Sequence, residues 1–185
     1  SRETFTLDRA DAYIGVLIDD LISRGAPEPY RMFTSRAEYR LQLRADNADQ
    51  RLTDKGMAIG CIGKERKDLW GKKRESLETA AVLVNSFSAS PNELRKHGLN
   101  INQDGQMRTA ADLLRYSEIG WDDIISVWPD LAKITPEIRE QISINALYAG
   151  YMNRQQADIN AFRKDEALEL PANLDYGQIG SLSNE

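Results

Sequence analysis

Alternating polar and apolar residues never extend beyond about four positions in this sequence, whereas apolar residues recur at helical spacing along most of it. The clearest helix signals place a capping residue before a proline, which is favoured at the first helical position. They occur at Ser90-Pro91-Asn92-Glu93, where the glutamate completes a capping box, and at Thr135-Pro136. This pattern predicts an all-α protein built from several helices.

Helix start and stop signals give the bounds of the expected helices. Asp8 is a suitable cap for the first helix, and Gly25 is a suitable stop. In chain order, the expected helices cover residues 8–24, 35–44, 53–60, 63–87, 90–98, 109–114, 121–128 and 135–164. Aromatic residues at helical spacing among aliphatic ones, such as Tyr151, are expected in the core.

The composition excludes several classes of protein. The chain has 185 residues, of which 41% are hydrophobic and 29% are charged, as is ordinary for a globular protein. Its apolar stretches are far shorter than the roughly 20 residues that cross a bilayer. A single cysteine, Cys61, excludes an intramolecular disulfide, and with the single histidine, His97, it leaves too few ligands for a typical zinc site. We expect no membrane segment and no metal site.

The sequence contains no glycine-rich phosphate loop and no common motif that activates a nucleophile. We therefore assign no catalytic residue and expect this chain alone to be inactive. Charge is unevenly distributed, because basic residues exceed acidic ones by three in residues 1–74, whereas acidic residues exceed basic ones by eight in residues 75–185. The basic front half suggests a face for an anion.

Arginines and aromatic residues are interleaved within a short stretch of the basic half. The arginines are Arg31, Arg36, Arg40 and Arg44, the aromatic residues are Tyr30, Phe33 and Tyr39, and the acid among them is Glu38. On the expected helix, the last three arginines would share one side, where their planar guanidinium groups suit phosphate. Alternatively, Arg36 and Arg40 pair with Glu38, Asp46 or Asp49 and brace a buried turn.

A second basic cluster begins the long helix predicted at residues 63–87. Its members are Lys64, Arg66, Lys67, Lys72, Lys73 and Arg74. Clusters of this kind contact nucleic-acid backbones without reading their sequence, but they are more often the solvated face of an amphipathic helix. Both interpretations stay open at this point.

Longer stretches of the sequence carry a family resemblance. The run from Glu28 to Leu41 reads EPYRMFTSRAEYRL, and it continues as RADNADQRLT from Arg44 to Thr53. Further blocks are AYIGVLIDDL from Ala12 and YAGYMNRQQ from Tyr148. In their order and spacing, these blocks closely resemble the GidA family, also called MnmG. The resemblance implies a C-terminal fragment, because the flavin domain of that family would precede Ser1.

The resemblance implies a function for the full-length protein. The family is the flavoprotein subunit of the enzyme that adds a carboxymethylaminomethyl group to wobble uridine in certain tRNAs. It uses FAD and NADH, and it acts with the GTPase MnmE. A cytoplasmic homodimer is implied, with no membrane or DNA partner. This chain would bind tRNA and dock MnmE, with no cofactor bound to the chain itself. Alternatively, it is a structural appendage that packs on the flavin domain without touching tRNA.

The resemblance also suggests roles for residues and regions. The expected tRNA or phosphate contacts are Arg31, Arg36, Arg40, Arg44, Arg51, Lys72, Lys73 and Arg74. The possible contacts with the flavin domain are Tyr30, Phe33, Ser35 and Tyr39. We expect an arginine-rich segment at residues 1–60, a helical domain at residues 61–170 and a linker to a further helical segment at residues 171–185.

Overall fold

The computed structural model describes residues 4–169, which are predominantly helical as the sequence predicts. The α-helices are α1 (Tyr13–Arg24), α2 (Ala48–Ala58), α3 (Lys64–Ser86), α4 (Pro91–Lys96), α5 (Ala110–Leu113), α6 (Trp121–Val127) and α7 (Pro136–Glu166). One-turn 3₁₀ helices occupy Thr34–Arg36 and Pro129–Lys133. The predicted linker at residues 171–185 lies outside the described residues.

Local capping explains where the short helices of the helical domain begin. Ser90 and Glu93 form the predicted capping box, with each side chain accepting the other residue's backbone N–H. Thr109 and Asp112 do the same at α5. Two two-residue strands, β1 (Ser88–Ala89) and β2 (Arg108–Thr109), pair antiparallel between these caps. Each cap satisfies backbone N–H groups that the first turn of a helix leaves without a partner.

The main core fills the space between α3, the short helices and the first half of α7. Leu94, Leu113, Ile124 and Leu131 are fully buried there. The loop at residues 99–107 contributes buried Leu99 and Ile101 to the same core. In one respect the core expectation is wrong, because Tyr151 is 66% exposed on α7.

The predicted helix at residues 35–44 is absent, and this prediction was wrong. Helical geometry ends after Arg36, since Ala37 is extended, with φ −94° and ψ 116°. The chain then turns so that both Ala37 and Leu43 pack on Val16 of α1 in a second, smaller core. Burial of two anchors on an irregular path therefore outweighs the local helical pattern, and Arg36, Arg40 and Arg44 share no helix face.

Two other helix starts differ from their predicted positions. Asp8 does not cap α1, which begins at Tyr13, because its carboxylate accepts the amides of Ala10 and Asp11 in a preceding turn at 2.9 and 2.7 Å. The turn packs tightly on α1, where a Cβ on Gly15 would lie 2.1 Å from the Asp8 carbonyl oxygen. Helix α2 begins at Ala48 rather than near residue 53.

The arginine-rich segment lies along α7 and contacts both halves of this helix. Arg163 donates to Asp8 at 2.7 Å and to Asp11 at 2.8 Å, and the rings of Tyr39 and Phe162 have their centroids 6.0 Å apart. The division at residue 60 stays a prediction: the chain turns at Gly60, whose φ is 76°, before α3 begins. Within residues 4–169, no helix combines the length and apolar character needed to cross a bilayer.

Candidate nucleic-acid interface

Arg9, a partly buried residue that the sequence analysis did not single out, organises the arginine-rich segment. The Arg9 side chain is only 11% exposed and donates to Asp19 and Asp20 of α1, each at 2.8 Å, and to Glu38 at 2.7 Å. It also donates to the Arg36 carbonyl at 3.1 Å. These bonds tie α1 to the chain around Glu38, so we call them the Arg9 network.

Asp20 extends the Arg9 network to two residues predicted to face outward. Its carboxylate accepts the Tyr30 hydroxyl at 2.7 Å and pairs with Arg36 at 3.5 Å. The bonds from Tyr30 and Arg9 hold the pKa of Asp20 below its usual value. The Arg36 guanidinium lies 4.7 Å from the Tyr30 ring centroid, so part of its charge is engaged inside the molecule.

Arg44 is engaged by several partners within the molecule. It forms a two-pronged pair with Asp46 at 2.9 and 3.0 Å, donates to the Leu41 carbonyl, and lies 4.4 Å from the Tyr148 ring centroid. The bonds from Arg44 and from Gln141 lower the pKa of Asp46. The arrangement fixes the arginine-rich segment to α7 and leaves this guanidinium little capacity for an external phosphate.

Arg51 is also occupied within the molecule. It donates to the Asn47 side chain at 2.9 Å, to the Arg44 carbonyl at 3.2 Å and to the Asp11 carbonyl. Burial, followed by repulsion from Arg44, lowers its pKa. Arg51 therefore braces the junction between α2 and the turn before α1.

Two predicted arginines are exposed and have no acidic partner among the described residues. Among residues 4–169, Arg31 and Arg40 form no ion pair with an acidic side chain, and both are exposed. Arg31 lies 5.1 Å from the ring centroid of Phe33, which is itself 48% exposed. Arg31 and Arg40 flank the half-engaged Arg36. Residues 30–40, which we call the 30–40 loop, thus present positive charge. The bonds from Arg9 to the Arg36 carbonyl and to Glu38 hold this loop in place.

The other predicted loop residues divide in the same way. Tyr30 and Tyr39 are half-buried and used internally, by Asp20 and Phe162 respectively. Phe33 and Ser35 are exposed. A contact with a flavin domain would therefore fall on Phe33 and Ser35 rather than on the two tyrosines.

The second basic cluster is split between bridged and exposed residues. Lys73 pairs with Asp49 of α2 at 2.5 Å, and Arg74 lies 3.3 Å from Asp54 and 3.8 Å from Glu78. Lys72 is exposed and has no acidic partner within the described part of the chain. Two of the three predicted contacts on α3 thus join α3 to α2 or to itself.

Arg9 and Arg163 were missed because no spacing pattern marks them. Each stands alone among residues of mixed character, and its acidic partners lie up to 155 positions away in sequence. The sequence did contain one indication of them. Acidic residues outnumber basic ones between Asp8 and Asp20, so cations from other parts of the chain are needed to pair with them. Within residues 4–169, no three His, Cys, Asp or Glu residues are grouped to hold a metal ion.

Comparison with known proteins agrees with this architecture. Residues 64–156 match the family model described as the tRNA modifying enzyme MnmG/GidA C-terminal helical domain. The chain belongs to the MnmG/GidA family. The match begins with α3 and ends within α7, so it covers the main core and the part of α7 that packs on that core.

Relatives and solved structures extend the likeness across the whole chain. Two curated relatives are named tRNA uridine 5-carboxymethylaminomethyl modification enzyme MnmG. The one from Heliobacterium modesticaldum is 44% identical over 190 residues, covering 99% of this chain and 30% of the relative. The one from Granulibacter bethesdensis is 39% identical over 183 residues, covering 99% and 29%. The chain therefore spans less than a third of the length of these relatives.

The solved structure of Aquifex aeolicus GidA in its form II crystal matches with a TM-score of 0.75 at 30% identity. The match covers 99% of this chain and 29% of that one. The form I crystal gives a TM-score of 0.74. The described fold is thus the fold of the corresponding part of a MnmG/GidA protein.

Proposed function

We propose that this chain holds tRNA for a MnmG-type enzyme that adds a carboxymethylaminomethyl group to wobble uridine. Family membership supports the reaction, since both curated relatives carry that activity in their names. The observation that carries the proposal for this chain is the 30–40 loop, where Arg31 and Arg40 are exposed without an acidic partner in the described residues. Exposed guanidinium groups on a braced path suit a polyphosphate backbone.

The redox chemistry of such an enzyme requires groups that this chain does not supply. In the full-length protein, FAD and NADH would bind outside these residues, since the sequence has no dinucleotide-binding glycine motif. The GTPase MnmE would act with the full-length protein, which we expect to be a homodimer in the cytoplasm. We propose that the helical domain helps to dock MnmE, and that the chain alone has no activity.

A structural appendage is the second candidate, and specific contacts favour it. Arg44 and Arg51 bond to the molecule itself, and Arg36 is partly engaged by Asp20. If Arg31 and Arg40 instead met a flavin domain, the chain would contribute packing and no tRNA contact. The two candidates differ in what salt does to RNA binding, because backbone contacts release counterions.

The test is tRNA binding by this chain between low and moderate salt, with Arg31→Gln/Arg40→Gln as the variant. We expect log affinity to fall steeply with log salt, and the double variant to lower that slope by about 1.4 to 1.8, since each lost contact removes about 0.7 to 0.9. Lys73→Gln/Arg74→Gln removes the same charge from bridged positions and should change the slope less. Absence of tRNA binding would favour the appendage.

A further inference from the structure

Phe33 is an exposed aromatic residue that the phosphate contacts proposed above leave without a role. It is 48% exposed even though the Arg31 guanidinium lies 5.1 Å from its ring centroid. An exposed ring with a guanidinium beside it offers a nucleobase both a face to stack on and a cation for the neighbouring phosphate. The neighbouring rings of Tyr30 and Tyr39 do not share this exposure.

We propose that Phe33 and Arg31 form a stacking platform for an unpaired nucleobase of the RNA. The inference rests on the proposed function and adds a class of ligand to it: a base in a single-stranded loop, rather than the backbone of a duplex. Sequence-tolerant binding of single strands combines aromatic rings, on which bases stack, with cations that follow the phosphates. Arg31 supplies the cation beside the ring.

The local backbone supports this assignment. Phe33 is extended, with φ −116° and ψ 147°, and it precedes the one-turn 3₁₀ helix at Thr34–Arg36. The Arg36 carbonyl that ends this turn accepts a bond from Arg9 at 3.1 Å. The ring therefore projects from a segment held at its far end by the Arg9 network, so less conformational entropy is lost when a base stacks on it.

The positive charge around Phe33 favours an RNA partner over an apolar protein surface. Arg31, Arg36 and Arg40 lie within seven residues of Phe33, and Glu38, the acid among them, is bonded to Arg9 at 2.7 Å. A nucleobase brings flanking phosphates that complement this charge. A neutral apolar partner would leave Arg31 and Arg40 without an opposite charge.

The experiment measures binding of an anticodon stem-loop RNA that carries 2-aminopurine at the wobble position, against the same RNA annealed to its complement. The protein is the complete 185-residue chain. Phe33→Leu keeps apolar volume and removes the ring, while Phe33→Trp keeps a ring. Phe5→Leu is the matched control, since Phe5 is 45% exposed and lies outside the 30–40 loop.

We expect Phe33→Leu to weaken stem-loop binding at least about fivefold and to leave the salt slope unchanged, since a stacked base contributes roughly 1 to 3 kcal/mol without releasing counterions. The unmodified chain should quench the fluorescence of 2-aminopurine when the base stacks on Phe33, and Phe33→Leu should abolish this quenching. Phe33→Trp should retain both, Phe5→Leu should match the unmodified chain, and the duplex should bind all variants alike.

Two results would overturn the platform, and they differ in what they say about tRNA binding. If the stem-loop binds with a steep salt slope but Phe33→Leu behaves like Phe5→Leu, the platform is wrong and backbone binding stands; a ring used only for protein packing gives this result. If the chain binds neither RNA at low salt, both the platform and the proposed function are wrong.

Discussion

The arginine-rich segment and the helical domain are stabilised by different forces. In the helical domain, a continuous apolar core joins α3, α4, α5, α6 and α7. In the arginine-rich segment, the buried cluster consists of Val16, Ala37 and Leu43, and the remaining links between elements are largely ion pairs and hydrogen bonds. One region is held by its apolar residues, and the other mainly by its charges.

The difference matters because charges serve two purposes in the arginine-rich segment. Arg9, Arg44 and Arg51 stabilise the fold, whereas Arg31 and Arg40 remain available to an anion. An arginine-rich motif is therefore not one functional unit. Substitutions should separate residues that brace the segment from residues that face outward.

The largest expected effect lies in the apolar core. Ile124→Ala removes a side chain that is fully buried between α6 and its neighbours, so we expect the free energy of unfolding to fall by about 2 to 5 kcal/mol. Chemical denaturation measures this change. Val82→Ala is the control, because Val82 is 72% exposed on α3 and should cost under about 0.5 kcal/mol. Equal costs at the two positions would contradict the core described above.

The next effect tests the Arg9 network. Arg9→Gln leaves the carboxylates of Asp19, Asp20 and Glu38 without their shared cation. We therefore expect the free energy of unfolding to fall by about 2 to 4 kcal/mol. Limited proteolysis should then cut within the 30–40 loop before it cuts α3. Arg66→Gln, at an exposed position of α3, is the control. Cleavage that starts in α3 would show that Arg9 does not hold the loop.

The Arg9 network should also weaken in acid. Because the folded protein lowers the pKa of Asp20, its contribution is complete above the unfolded pKa of about 3.9 and is lost as pH falls through the folded value. Asp20→Asn should therefore cost about 2 kcal/mol near neutral pH, with the difference from the unmodified chain shrinking below about pH 4. Chemical denaturation of both proteins at several pH values measures this difference. A difference that grows on acidification would reverse the assigned sign.

The smallest effect on stability belongs to the outward-facing arginines. Arg31→Gln/Arg40→Gln should change the free energy of unfolding by less than about 0.5 kcal/mol, because neither guanidinium pairs with an acid in the described residues. Lys73→Gln/Arg74→Gln should cost more, about 0.5 to 1.5 kcal/mol, since both side chains form ion pairs. The reverse order would mean that the exposed arginines are the structural ones.

Local sequence signals predicted helices α3 to α7 well. The capping box at Ser90, the helix start at Thr109 and the proline that opens α7 depend on residues within one turn of each other. The family was likewise predicted from contiguous motifs and is confirmed by the matched domain. Features encoded by neighbours in sequence are therefore accessible without a structure.

The path of the arginine-rich segment could not be predicted in the same way. Spacing of four between arginines suggested a helix, but Ala37 and Leu43 are drawn onto Val16 by tertiary packing. The partners of the arginines were also uncertain. Glu38 was considered as a partner for Arg36 or Arg40, yet it bonds to Arg9, which is 29 positions away. Such pairing follows from the fold and leaves no local pattern.

The proposed role of the 30–40 loop can be tested most directly by hydrogen–deuterium exchange of this chain with and without tRNA. We predict that tRNA slows exchange in peptides covering residues 28–44 and leaves α4 to α6 unchanged. The Arg31→Gln/Arg40→Gln variant should lose that protection at the same tRNA concentration while keeping its exchange pattern without tRNA. Protection confined to the start of α3, or equal protection in the variant, would contradict the assignment of tRNA contact to this loop.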